Sequence, residues 1–356
     1  MSRFFSQKHA ALTAYVPGEQ PKAGGYIKLN TNESPFPPSE AVIEAASAAA
    51  KGLQLYSDPT AWELRRAAAA YYGVDEAQIL MTNGSDEILD FAFMAYGDHE
   101  HPFAFPDITY GFYPVFARLH GIPYKEIPLK EDFSINVEDY MDIGANIVIA
   151  NPNAPTGLML SLQDIERIAK SNPDHVVVID EAYIDFGGES AISLLDTCEN
   201  LLITRTFSKS FSLAGARLGF AVASREIISD LYAIKDSTNP YNVNRMTMAA
   251  GTQAILDAAY YMENCKTVIE NREETKKVLS SLGFEMTDSQ ANFIFAKHAS
   301  ISGAVLYEEL KARGILVRHF SGARISEYNR ITVGTREQMK ALTDAISDIL
   351  KKGETT

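Results

Sequence analysis

The chain has 356 residues, 46% of them hydrophobic and 22% charged, enough for about two packed domains whose core needs no covalent staples. A net charge of −14 argues against nucleic acid or an anionic membrane surface as the main partner. It leaves room for a local basic pocket that takes a small anion.

Residues 1–38 read as an arm, punctuated by Pro17, Pro21, Gly24 and Gly25 and closed by the loop from Asn30 to Pro38. A helix is expected over 39–52. Another is expected from Thr60, which has capping-box spacing to Glu63, up to Gly73, a left-handed terminator. The chain then alternates. A short strand at 79–81 precedes a helix at 85–96. Further apolar runs at 147–149, 176–179, 201–203 and 219–222 are interleaved with helical patterns such as 161–170. Continuous apolar strands separated by helices indicate a mostly parallel sheet covered on both faces, an α/β large domain. After about residue 245 a long helical stretch, three short strand patterns and two more helices suggest a smaller α+β domain. The expected organisation is an arm (1–38), a large domain (39–245) and a small domain (246–356).

Cys198 and Cys265 fall outside any metal or disulfide spacing. The first twenty residues lack the apolar core of a secretory leader, and no apolar run approaches a membrane span. The expected location is cytoplasmic. His99-Glu100-His101 reads as a solvated turn without a third ligand, so no metal is expected.

Three apolar runs end in polar residues of distinct kinds. Asn151-Pro-Asn-Ala-Pro-Thr-Gly157 follows the first, Asp180-Glu-Ala-Tyr183 the second and Thr204-Arg-Thr-Phe-Ser-Lys209 the third. Residues just past the strand ends of an open α/β sheet converge on one edge, where ligands bind. Asn153, Asp180, Tyr183 and Lys209 should therefore share a crevice. A lysine beside a buried aspartate suits Schiff-base chemistry, and pyridoxal phosphate would use the whole set. Asp180 would keep its ring nitrogen protonated, and Tyr183 and Asn153 would serve its 3′-oxygen. The turn Asn83-Gly-Ser-Asp86 before a helix, with Arg217, would take its phosphate. Singly, each residue has an ordinary explanation as a cap, an ion-pair partner or a turn. The order and spacing together are specific.

The segments NPNAPTG, DEAYIDF, TFSKSFSLAGARLGF and NGSDE resemble those of fold-type I, pyridoxal-phosphate-dependent aminotransferases. KLNTNESPFPPS, YSDPTAWELRRAAAAYYG, FPDITYGFYPVFARLHG and PYNVNRMTMAA extend the resemblance to the histidinol-phosphate aminotransferases, over nearly the whole chain. That resemblance implies an amino-group transfer between histidinol phosphate and 2-oxoglutarate, in histidine biosynthesis. It implies that Lys209 carries the cofactor, that Asp180 pairs with the pyridinium nitrogen and that Tyr183 meets the 3′-oxygen. It places Gly84, Ser85, Asp86, Thr206, Ser208 and Arg217 around the phosphate and Tyr110 against the ring. It gives Tyr56 to the partner subunit's phosphate, hence a homodimer, and Tyr15, Asn32, Arg318 and Arg330 to the substrate.

One position departs from the family. Ala154 stands where an Asn often precedes Pro-Thr-Gly. Either Asn153 substitutes or Tyr183 carries the 3′-oxygen alone; the expectation here is Asn153. The segment from Arg324 to Tyr328 also departs from the family pattern. Aromatic amino-acid aminotransferases and threonine-phosphate decarboxylases share the scaffold and are the alternatives. A non-enzymatic sensor domain is a remote one, disfavoured by the acidic charge and the absence of a basic stretch.

Overall fold

The computed structural model describes residues 2–9, 12–15, 18–20 and 25–353. Pro17, Pro21 and Gly24 of the expected arm lie outside the described residues. In chain order the elements begin with β1 (Ile27–Lys28), α1 (Glu40–Ala49), α2 (Trp62–Tyr72), β2 (Ile79–Thr82), α3 (Ser85–Tyr96), β3 (Phe103–Pro106), α4 (Tyr113–His120) and β4 (Tyr124–Ile127). There follow β5 (Asn146–Ala150), α5 (Leu162–Ser171), β6 (Val177–Asp180), β7 (Leu201–Thr206), β8 (Gly219–Ala223), α6 (Arg225–Thr238), α7 (Arg245–Leu256) and α8 (Ala258–Ser281). The last are β9 (Phe284–Met286), β10 (Phe293–His298), α9 (Gly303–Ala312), β11 (Ile315–Leu316), β12 (Arg318–His319), β13 (Asn329–Thr332) and α10 (Arg336–Gly353).

The main sheet has seven strands in the order β2-β8-β7-β6-β5-β3-β4. β8 runs antiparallel to both its neighbours, and the pairings from β7 to β4 are parallel. Strand alternation accounts for its two covered faces. Ile147, Ile149, Val177, Ile179 and Ile203 pack into one core layer beneath α2, α5 and α7. Val148, Val178, Leu202 and Ala221 pack into the other, against α3, α4 and α6. A second sheet, β12-β13-β10-β9, is antiparallel and packs with α8, α9 and α10 in a separate core. The 24-residue α8 passes between the two bodies of packing, with Tyr261 in the first core and Cys265 and Val268 in the last. Early in the chain, β1 pairs parallel with β11, Ile27 opposite Ile315, so the segment that follows it is carried to the cleft. No helix among the described residues is long and apolar enough to cross a membrane.

The start of α2 differs from expectation. Ala61, in the left-handed region at φ 47°, is the capping position, and Thr60 and Glu63 make no capping box. Asp58 takes over: one carboxylate oxygen accepts from the Trp62 N–H at 2.8 Å, and the other accepts from the Thr60 N–H and hydroxyl. With its hydroxyl spent on the stronger acceptor, Thr60 is left outside the helix. Gly73 ends α2 in the left-handed region as expected (φ 69°).

Candidate active site

At the C-terminal edge of the main sheet the register sets Ala150, Asp180 and Thr204 side by side on β5, β6 and β7. A cavity of about 280 Å3 opens over them, a small-ligand cleft in size. Asp180 is 5% exposed, and both of its oxygens are occupied. Tyr113 donates its hydroxyl proton to Oδ2 at 2.9 Å, and Thr204 Oγ1 donates to Oδ1 at 3.1 Å. Burial pushes the Asp180 carboxyl up to about 6, and these two hydrogen bonds pull against it. The loop after Asp180 is held from below by a buried ion-pair cluster, in which Arg205 contacts Glu181 at 3.2 Å and Asp185 at 2.6 Å.

Lys209 lines the same cavity, its Nζ donating to the Thr31 carbonyl at 3.2 Å and standing 5.8 Å from the centre of the Tyr183 ring. The Tyr183 hydroxyl accepts from Asn32 Nδ2 at 3.0 Å, which leaves its own proton free to give. Opposite lies an anion cradle. Ser85 and Asp86 open α3, Thr206 ends β7 and Ser208 follows it with their hydroxyls 2.9 Å apart, and Arg217 closes the ring. Gly84 is required here. Its φ is +86°, and a Cβ would come within 2.7 Å of the Arg217 guanidinium. Tyr110 lines the wall and donates to Asp86 Oδ1 at 2.8 Å.

A second group forms a rim beside the cleft, outside the cavity lining itself and joined to it through Tyr110 and Tyr183. Arg330 and Arg318 are opposite each other on β13 and β12. Arg330 donates to the Asn30 carbonyl at 3.1 Å, yet its buried Nε has no partner, and burial pulls the guanidinium below the ordinary arginine value. Tyr15 packs on Phe112 (4.2 Å between ring centres) and lies 6.3 Å from Tyr110. Burial raises its phenol, with Arg318 and Arg330 acting against it. Asn32 ties this rim to the small sheet through Thr332.

Two expected residues stand apart. Asn153 donates its amide to the Ile108 carbonyl and the Thr156 hydroxyl, both at 3.0 Å, and accepts from Thr109 at 2.7 Å. Its polar atoms are engaged with the turn, and Ala154 forms the cavity wall. Tyr56 is 80% exposed, stacked on Tyr241 at 4.6 Å, and does not line its own chain's cavity. Three further residues belong to the site. Thr204 was signalled by its position, one residue past the same apolar run that ends at Ile203. Tyr113 was signalled by the helix it opens, with Pro114 in the first turn and Gly121 as a left-handed terminator. Glu33, bonded to Lys28 and Thr31 at the cavity edge, carried no sequence signal. The Arg324 segment reaches across to Asp107 at 3.0 Å and to the carbonyls of Leu129 and Lys130.

The donor set fits pyridoxal phosphate on the structure's own terms. It offers a buried carboxylate for a ring nitrogen, a lysine amine in the cavity, and a glycine-opened cradle with one arginine for a phosphate.

Known proteins are similar to this chain over nearly its whole length. The sequence model of the family described as aminotransferase class I and II matches residues 25–346. The chain is 50% identical to histidinol-phosphate aminotransferase 2 of Dechloromonas aromatica (strain RCB), covering 98% of this chain and 99% of that one. It is 48% identical to histidinol-phosphate aminotransferase of Pseudomonas putida (strain W619), covering 98% and 100%. A crystal structure of histidinol-phosphate aminotransferase from Sinorhizobium meliloti in complex with pyridoxal-5′-phosphate shares the fold, with a TM-score of 0.84 over 91% of each chain at 23% identity.

Proposed function

The chain belongs to the class I and II aminotransferases and is a transaminase working through pyridoxal 5′-phosphate, and from that premise we propose that it moves an amino group between histidinol phosphate and 2-oxoglutarate. The observation that carries the reading is one cavity holding Lys209, a buried Asp180 and Arg217. When bound, the cofactor supplies an aldehyde for the amine and a protonated ring that draws electrons from the substrate carbon.

The chain's own residues do the rest. Arg217, Ser208, Thr206 and the amides opening α3 would bind the phosphate. Asp180 would hold a proton at the ring nitrogen. Tyr183, with its proton free, would donate to the 3′-oxygen without Asn153. Lys209 would take the proton from the substrate's amine-bearing carbon and return it at the other end of the transfer. Tyr110 would cover the ring.

Substrate choice turns on Arg330 and Arg318. Glutamate presents a carboxylate, whereas histidinol phosphate carries a hydroxymethyl phosphate on the same carbon. Guanidinium groups accept either anion. The open Nε of Arg330 supports this role. In the same proposal, the cofactor-binding domain begins at 39 and runs past the expected boundary at 245, because α7 and Tyr261 pack in the main-sheet core, and the smaller domain begins within α8. A second copy of the chain covers the exposed Leu53, Leu55, Tyr56 and Trp62 beside the hollow between α1, α2 and α7.

The test is a panel of amines offered to the cofactor-loaded protein: histidinol phosphate, phenylalanine, tyrosine and threonine phosphate. Fastest conversion of bound cofactor with histidinol phosphate, reversed by 2-oxoglutarate, is expected. A preference for phenylalanine would move the protein to the aromatic aminotransferases, and carbon dioxide release from threonine phosphate to the decarboxylases. Lys209→Ala should keep the fold and lose turnover by at least about 10^4-fold.

A further inference from the structure

Tyr113 opens α4, is fully buried, and spends its hydroxyl on Asp180 Oδ2 at 2.9 Å. Burial and the neighbouring carboxylate hold its phenol well above the ordinary tyrosine value, so it keeps its proton and donates. Three residues earlier, Tyr110 donates to Asp86 at the anion cradle, and the two rings meet edge to face at 5.7 Å. One short segment thus reaches both ends of the cavity. On the far side, Thr204 Oγ1 holds the other Asp180 oxygen at 3.1 Å. A carboxylate gripped from both sides cannot rotate, and each donated proton favours its charged form over its neutral one.

We propose that Tyr113 is a positioning residue for cofactor binding: its hydroxyl orients the Asp180 carboxylate and keeps it charged, so that the cavity selects a ligand with a protonated ring nitrogen. This inference rests on the cofactor reading above. A buried phenol needs some acceptor, and a backbone carbonyl would have satisfied it. Here the acceptor is instead the one carboxylate on the cavity floor. Without that hydroxyl, Asp180 has lost a donor in a site where burial already works against its charge. The match to a cationic ring nitrogen weakens, while the phosphate cradle and the Lys209 amine are untouched.

The experiment uses full-length wild type and Tyr113→Phe, freed of cofactor, and measures affinity for two probes. One is pyridoxal phosphate. The other is its carbocyclic analogue, with CH in place of the ring nitrogen. Tyr113→Phe should bind pyridoxal phosphate about tenfold more weakly, the scale of one hydrogen bond to a charged group. Its affinity for the analogue should stay unchanged or rise. Thr204→Val, which removes the other donor at similar volume, should weaken pyridoxal phosphate selectively in the same way and serves if Tyr113→Phe does not fold. Equal weakening of both probes, or of neither, in Tyr113→Phe overturns the inference. If only Thr204→Val serves, the same rule applies to it. A wild type that binds both probes equally overturns the Asp180 assignment and this inference with it. A wild type that prefers pyridoxal phosphate, with a Tyr113→Phe variant that keeps the full preference, overturns the inference alone.

Discussion

Arg217 Nη2 lies 3.2 Å from Asp86 Oδ2, so the guanidinium of the anion cradle is shared with a carboxylate at the mouth of the cavity. Both side chains are partly exposed, and such a pair contributes little to stability on its own. Its use is to hold the guanidinium over the opening of α3. Arg217→Ala should therefore weaken cofactor binding by roughly ten- to a hundredfold, on the scale of a charge-assisted contact, without unfolding the chain. Excess pyridoxal phosphate should restore much of its turnover. Asp180→Ala, which loses the charge that keeps the reacting ring protonated as well as a contact to it, should hardly respond even when saturated. Parallel titrations of the two variants decide the point; equal rescue would contradict these roles.

Asp180 also makes stability depend on pH in the cofactor-free protein. Its folded-state value, about 6 against an ordinary 3.8, means that the folded chain keeps a proton that the unfolded chain has released. Stability contributed by this group is full below the lower value and is lost as pH rises through the upper one. Asp180→Asn removes the titration. At pH 7.5 the cofactor-free variant should be more stable than wild type by roughly 2–3 kcal/mol, and the gain should vanish near pH 4. Urea unfolding at both pH values measures this, and a gain of the same size at each would count against a titrating Asp180.

Tyr56 and Lys209 should belong to different subunits of one site. Tyr56→Ala and Lys209→Ala chains, each impaired alone, should recover activity when mixed, because every heterodimer contains one site free of both defects. The readout is turnover after confirmed subunit exchange. No recovery would place Tyr56 outside the partner's site.

Arg330→Ala should impair the half-reactions with glutamate and with histidinol phosphate alike, by on the order of a hundredfold, since both anions lose a bidentate partner. Tyr15→Phe removes one hydroxyl and should raise KM for the phosphorylated substrate by a few-fold, with the glutamate reaction near wild type. Single-turnover kinetics with each amine separates the two. Loss confined to glutamate in Arg330→Ala would restrict that arginine to carboxylate recognition.

The parts of the fold that were legible are those where one physical requirement dominates. β5, β6 and β7 are buried on both faces, so their apolar runs stood out, and the polar residues just past them marked the cleft. β4, Tyr124-Lys-Glu-Ile127, is an exposed edge strand whose composition suits a loop equally well, and it was not read. β12 is two residues long and gets its structure from pairing with β13. Asn153 shows the limit for side chains. Its position after β5 is as expected, but its amide turns back into the loop and donates to the Ile108 carbonyl and the Thr156 hydroxyl. Spacing can deliver a residue to an edge; it does not say which way the side chain turns.

Asn32 bonds to Thr332 and to Asn292, partners 300 and 260 positions away. On a growing chain, which emerges from its N-terminus, Asp180, Lys209 and Arg217 are all made long before Thr332 appears. The proposed cofactor half of the site can thus assemble while the proposed substrate half is still missing, and closing so long a loop leaves Asn32 among the last residues to find its place. Synthesis itself imposes an order in which the substrate wall is completed last, so a truncated chain ending before β13 would lack that wall even with the cofactor residues in place.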